Sequence, residues 1–162
     1  MIKKIFNTLF SIAFLTLLLA PKTTEASHIA GGDFQYECIG PNTYLITLNL
    51  FRDCDGIGMG TAAQSVSFES PCGNLTGINL PLINPDFGTE VSQLCDADKA
   101  NSTCNGGPLA GMQQYIYQDV VVLNPDCDTW TMSWQSCCRN ALIENIVNPS
   151  GNSLTIAATL NS

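Results

Sequence analysis

Histidine and positive charge are what this sequence has least of. Its one histidine is His28, and six Lys and Arg stand against fourteen Asp and Glu, for a formal net charge of −8. A lone imidazole so near a chain start, where termini are loosely held, leaves Cys–His and Ser–His catalysis without a well-placed base. Neither a Gly-x-Ser-x-Gly elbow nor a phosphate-cradling glycine loop is present. Nothing singles out a carboxylate pair for glycoside hydrolysis. The shortage of cations removes nucleic acid as a partner, because phosphate binding needs a stripe of Lys and Arg. Helical periodicity, internal repeats and low-complexity segments are also missing. An acidic surface suits solubility and divalent cations instead.

What is there begins with a leader. Met1–Lys4 is basic, Ile5–Ala20 is apolar, and Thr24-Glu25-Ala26 offers small residues before a cut, so residues 1–26 read as a signal peptide. The apolar run falls short of the ~20 residues of a membrane span, and no cysteine follows it to carry a lipid. The mature chain, Ser27–Ser162, is therefore expected outside the cell, at its surface, with no stable span after cleavage. Its fixed cations are Arg52, Lys99 and Arg139, and Glu25 is the one acid lost with the leader. All eight cysteines lie in the mature part, and an even count in an exported chain reads as a disulfide framework.

Strand patterning fills most of the remainder. Tyr115–Leu123 is β-branched and aromatic, Asn124–Asp128 carries turn residues, and Thr129–Cys137 alternates, so this stretch reads as a central β-hairpin. Trp130, Met132 and Trp134 share one face of its second strand, which places both tryptophans of the chain in the core. Ile29–Cys38 and Thr43–Arg52 read as a second hairpin. Phe34, Tyr36 and Cys38 share a face of one strand and Tyr44, Ile46, Leu48 and Leu50 a face of the other. Gly31-Gly32 marks a bulge or bend. Val66 and Phe68 point inward from a strand over Gln64–Glu69. Ile78, Leu80 and Leu82 suggest an edge strand holding Pro81. Leu154, Ile156, Ala158 and Leu160 form a last strand. Seven or so short strands predict an all-β fold, an antiparallel immunoglobulin-like β-sandwich stapled by disulfides, as one domain over 27–162.

The cysteines allow some pairing arguments. Cys38 at a hairpin turn and Cys54 beyond the far end of the next strand are separated by about 33 Å at the usual rise, far beyond the ~7 Å a bridge tolerates. The same reasoning separates Cys127 from Cys137 and Cys138. Cys95 and Cys104, in the long polar stretch Asp86–Gly111, form the best single pair by proximity. Cys137 and Cys138 point to opposite faces and should reach different partners, a strained vicinal ring being the alternative. Cys72 is left with no assigned partner, and the remaining connectivity stays open.

Two further patterns bear on binding. Asp53 and Asp55, Asp96 and Asp98, and Asp126 and Asp128 each lie in a loop beside or around a cysteine. Carboxylates so spaced can converge on calcium, although Asp in loops more often makes Asx-turns, and no Glu completes a calcium loop after Asp53. The alternative to a surface module is a small secreted carbohydrate- or calcium-dependent binding protein acting alone through the long loop Asp86–Gly111. Asn74-Leu75-Thr76 and Asn101-Ser102-Thr103 fit a glycosylation acceptor pattern and imply exposed loops. Arg139, in Cys137-Cys138-Arg139-Asn140, suits either a sheet-corner contact or a grip on a partner's carboxylate.

The strings SHIAGGDFQYECIGPNTYLITLNLFRDCDG, SPCGNL, VSQLCDADKANSTCNGGPLAGMQQYIYQDVVV and CDTWTMSWQSCCRNALIENI together resemble the N-terminal region of very large surface proteins of gliding bacteria. The most specific pieces are the histidine-plus-Gly-Gly start, Arg52-Asp53-Cys54, and Cys137–Asn140. The resemblance implies a non-enzymatic extracellular module of a gliding-motility-associated adhesin or structural protein, followed by immunoglobulin-like or cadherin-like repeats and a type IX secretion sorting domain. It implies partners among surface glycans, surface proteins and those downstream repeats, and it supplies no catalytic residue. Because the sequence stops at Ser162 inside a strand, it is expected to be the N-terminal fragment of a longer protein.

Overall fold

The computed structural model describes residues 29–84, 88–137, 139 and 143–161. The signal peptide expected over 1–26 lies outside them. Eight strands follow in order: β1 (Ile29–Gly40), β2 (Thr43–Asp53), β3 (Gln64–Ser70), β4 (Gly73–Leu80), β5 (Thr89–Glu90), β6 (Met112–Val122), β7 (Thr129–Ser136) and β8 (Leu154–Asn161). They form two four-stranded antiparallel sheets, ordered β1-β2-β6-β5 and β4-β3-β7-β8. With β1 to β8 standing for strands A, B, C, C′, D, E, F and G, these are the ABED and C′CFG sheets of an immunoglobulin-like sandwich.

Alternation creates the core. Tyr44, Ile46, Leu48 and Leu50 of β2 and Tyr115, Tyr117 and Val121 of β6 face Val66 and Phe68 of β3 and Trp130, Met132 and Trp134 of β7, all buried. Trp130, Tyr117 and Phe68 are the largest fully buried side chains, as their large apolar areas lead one to expect. The Trp134 indole N–H donates to Gln64 Oε1 at 3.0 Å, which gives the polar handle of a buried ring a partner. Burial pushes the pKa of the Tyr117 hydroxyl up.

The central hairpin is corrected. β6 pairs with β2 and β5, while β7 pairs with β3 and β8, so the two strands lie in different sheets. Period two fixes which face of a strand is buried and says nothing about its neighbour. Residues 123–128 carry the chain across the core rather than back along β6, and Leu123 and Cys127 are buried on the way. The other assignments stand with small shifts. β1 and β2 pair as a hairpin, with a register irregularity between Ile29 and Gly31. Of the three residues expected to share a face of β1, Phe34 packs against the core, whereas Tyr36 is 42% exposed and Cys38 is exposed. β4 ends at Leu80, so Pro81 lies just beyond the edge strand and Leu82 bridges to Tyr117 in the other sheet.

Gly32 shows how closely the sandwich closes along its β1 and β8 edges. A Cβ at that position stands 2.4 Å from Asn49 O and 2.5 Å from Ile156 Cδ1, whereas nothing lies within 4 Å of one at Gly31. Gly32→Ala is therefore expected to destabilise the protein by about 1–3 kcal/mol through overpacking. Gly31→Ala should change it much less. Urea melts of the two variants check this, and equal losses contradict it.

Candidate functional site

The strand registers gather the loops at two ends. Residues 54–63, 91–111, 137 and 143–153 lie at the end where β1 begins; residues 41–42, 71–72 and 123–128 lie at the other end, where β8 finishes. The longest loops thus share one end.

Arg52 organises the first of them. It continues the inward series of β2 and is 8% exposed. Its Nε donates to Ile57 O at 2.7 Å, and its other nitrogens donate to Cys54 O, Gly56 O and Gln113 Oε1. None of these acceptors is a carboxylate. A delocalised guanidinium with five donors can serve several carbonyls at once, as an ammonium with its compact charge cannot. Arg52 thereby fixes the backbone of 54–57 against the start of β6.

Residues 91–111 fold on themselves through two short 3-10 turns, Lys99–Asn101 and Thr103–Asn105. Glu90 stands at their base. Its carboxylate accepts from Ser92 Oγ at 2.7 Å and from Asn105 Nδ2 at 2.9 Å. Hydrogen bonding from Ser102 foremost, then from Ser92, holds the Glu90 pKa below the ordinary carboxylate value. Ser102 is fully buried, while Asn101, the acceptor of the Asn101-Ser102-Thr103 pattern, is exposed as expected; Asn74-Leu75-Thr76 lies in β4 rather than in a loop.

The bridges differ from the pairing favoured by proximity. Cys104 joins Cys54, with α-carbons 4.8 Å apart, and Cys72 joins Cys127 at 6.0 Å. Cys95 and Cys38 are exposed and unbridged. Cys137 is disulfide-bonded, and Cys138 lies outside the described residues. Sequence proximity misleads because the 3-10 turns aim Cys104 inward against Gly111, where a Cβ would stand 2.6 Å from its sulfur. The separation of Cys38 from Cys54 and of Cys127 from Cys137 agrees with the strand-length argument. Each end of the sandwich consequently carries a bridge between two loops, Cys54–Cys104 at the end where β1 begins and Cys72–Cys127 at the other.

The aspartate pairs are spread through these loops. Asp53 Oδ1 accepts from the Asp55 N–H at 3.0 Å, an Asx-turn. Asp96 pairs with Lys99 Nζ at 2.7 Å, and that contact lowers the Asp96 pKa. Asp98 donates its N–H to Cys95 O, while Asp126 and Asp128 flank Cys127 at the opposite end. Among the described residues no three of His, Cys, Asp or Glu gather to hold a metal ion. His28 lies outside the described residues. Arg139 Nε donates to Ser153 O at 3.1 Å, a sheet-corner contact made to a carbonyl rather than to an acid.

Between β2, β6 and the long loop lies an open cavity of ≈ 390 Å³, lined mainly by Phe51, Val91, Ala110 and Met112, with Asp53, Ser92 and Gln93 as polar groups. An apolar hollow of this size with few polar groups is what a small ligand or an anchoring side chain fills. Of the residues that build this end, Arg52 was legible as the next inward position after Leu50. Glu90 gave no signal, because its strand has two residues. Searches against protein-family models, curated proteins and solved structures return no match for the chain. Among the described residues no helix is long and apolar enough to cross a membrane.

Two outcomes follow. Cys54→Ser should cost about 2–5 kcal/mol of stability, whereas Cys95→Ser should leave the melt unchanged. A reversed order in paired denaturation curves restores the proximity pairing. Because the folded Glu90 pKa is depressed, its contribution is fully present above the ordinary value of 4.5 and is lost as pH falls through the lower folded value. The protection of amides in residues 91–111, taken relative to the intrinsic exchange rate at each pH, should fall in that acid range. In Glu90→Gln the protection should be low already at neutral pH, with a shallower acid dependence.

Proposed function

We propose that this chain is a non-enzymatic extracellular module of a cell-surface adhesin or structural protein that serves surface attachment and gliding. The observation that carries the reading is the placement of the two loop-to-loop bridges, Cys54–Cys104 and Cys72–Cys127, at opposite ends of the sandwich. Structural disulfides persist in oxidising compartments and are uncommon in reducing ones, which supports an extracellular setting. Cys54–Cys104 holds two of the long loops together on a rigid frame, the arrangement by which β-sandwiches present binding loops. The resemblance of the Arg52-Asp53-Cys54 and Cys137–Asn140 strings to surface proteins of gliding bacteria supports the same reading.

In the organism that makes it, brief protease treatment of intact cells should remove the protein. Deleting its gene should reduce attachment to a solid surface and spreading by gliding, with both restored by a supplied copy. Protein that survives in protease-treated cells, or a deletion strain that attaches and glides normally, overturns the proposal.

A further inference from the structure

The solvent face of the β1-β2-β6 sheet carries an ordered polar row that the loop-bearing end does not use. Since Tyr44, Ile46, Leu48 and Leu50 point into the core, Leu45, Thr47, Asn49 and Phe51 lie on the opposite face, where Leu45, Thr47 and Phe51 are half-buried and Asn49 is buried within its hydrogen bonds. On either side, the register sets Gln35 and Gln118 opposite Thr47, and Glu37 and Val120 opposite Leu45. The polar groups are hydrogen-bonded in series. Gln114 Nε2 donates to Asn49 Oδ1 at 3.2 Å, Asn49 Nδ2 donates to Asp33 Oδ1 at 2.9 Å, and Gln35 Nε2 donates to the same oxygen at 3.3 Å. Gln118 Nε2 donates to Thr47 Oγ1 at 2.7 Å. A depression of ≈ 280 Å³ lies here, lined by Gln35, Tyr36, Glu37, Leu45, Thr47 and Gln118.

We propose that this face binds a neutral polysaccharide, with Gln35, Thr47, Gln118 and Glu37 forming one sugar subsite; the proposal rests on reading the chain as a surface-attachment module and names the ligand class it meets. Strands are spaced about 4.8 Å apart, so Gln35 and Gln118 stand about 10 Å apart across the small Thr47, room for one sugar ring with its hydroxyls between them. Amides and a hydroxyl both donate and accept, as sugar hydroxyls do, and each keeps unused capacity after the bonds above. Leu45 offers the apolar patch that a ring's C–H face requires. Farther along β2, Phe51 lines the apolar cavity at the loop end, so a chain lying along this strand meets a second apolar platform.

Charge selects among polymers. The outward positions of β1, β2 and β6 include no Lys or Arg and do include Asp33, Glu37 and Asp53, so an anionic polymer is repelled. A peptide adding to the sheet beside β6 finds that edge occupied, since Ile83 N donates to Ile116 O at 2.9 Å and Gln118 N to Pro81 O at 3.0 Å.

Affinity electrophoresis of the secreted protein through hydroxyethyl cellulose, xylan and galactomannan tests this, with alginate and poly-lysine as charged comparisons. At least one neutral polysaccharide should retard it. Retardation should weaken about tenfold in Gln35→Ala and in Gln118→Ala, each losing hydrogen bonds to the sugar. It should persist in Gln135→Ala, an exposed position of β7, and thermal melts should show all three variants folded. No retardation by any neutral polysaccharide, undiminished retardation of the Gln35 and Gln118 variants, or binding to alginate or poly-lysine alone overturns the proposal. If attachment is lost on gene deletion yet unaffected in cells carrying both substitutions, the glycan face fails and the surface-module reading stands. Glycan binding by a protein whose deletion leaves attachment unaltered supports the glycan face while the surface-module reading fails.

Discussion

Everything in this protein hangs on one layer of side chains buried between two sheets. Tyr117 from one sheet and Trp130 and Phe68 from the other are fully enclosed, and aliphatic residues of β2, β6 and β8 fill the space around them. Burying apolar area of this kind is the dominant favourable term in folding, and it requires both sheets to face each other with alternate residues inward. The strands are thereby committed on one face. The opposite face, the ends and the loops are left to other chemistry.

That division explains how the remaining features are arranged. Loops at the ends of a sandwich lack a core of their own, so they need other constraints. Here the buried guanidinium of Arg52 serves the carbonyls of 54–57, Glu90 gathers the hydroxyls and amides of 91–105, and a disulfide joins loops at each end. The outer face of the first sheet holds hydrogen-bonded Asn, Gln, Asp and Thr side chains rather than a scatter of charges.

Much of the fold was legible because period-two alternation is a direct record of burial. The inward residues of β2, β3, β7 and β8 were readable from Tyr44–Leu50, Val66–Phe68, Trp130–Trp134 and Leu154–Leu160 alone. Partner choice was not legible: β6 and β7 read as one hairpin, whereas the short link through Leu123 and Cys127 crosses between the sheets. The same gap defeated the disulfides. Cys104 joins a residue 50 positions away rather than nearby Cys95, because only the folded topology brings the 54–63 and 91–111 loops to one end. The aspartate pairs were visible and suggested a cation, but their carboxylates engage an Asx-turn at Asp53 and a lysine at Asp96. Glu90 and the Gln35–Thr47–Gln118 row were hidden, since each depends on register across strands that sequence does not display.

The placement of the bridges carries both the topology and the extracellular reading, so it is the point to measure. Alkylation of the unreduced secreted protein, followed by proteolysis and mass mapping, should return Cys54 linked to Cys104 and Cys72 linked to Cys127, with Cys38 and Cys95 carrying the alkyl label. Recovery of a Cys95–Cys104 peptide, or of labelled Cys72 and Cys127, would contradict the account.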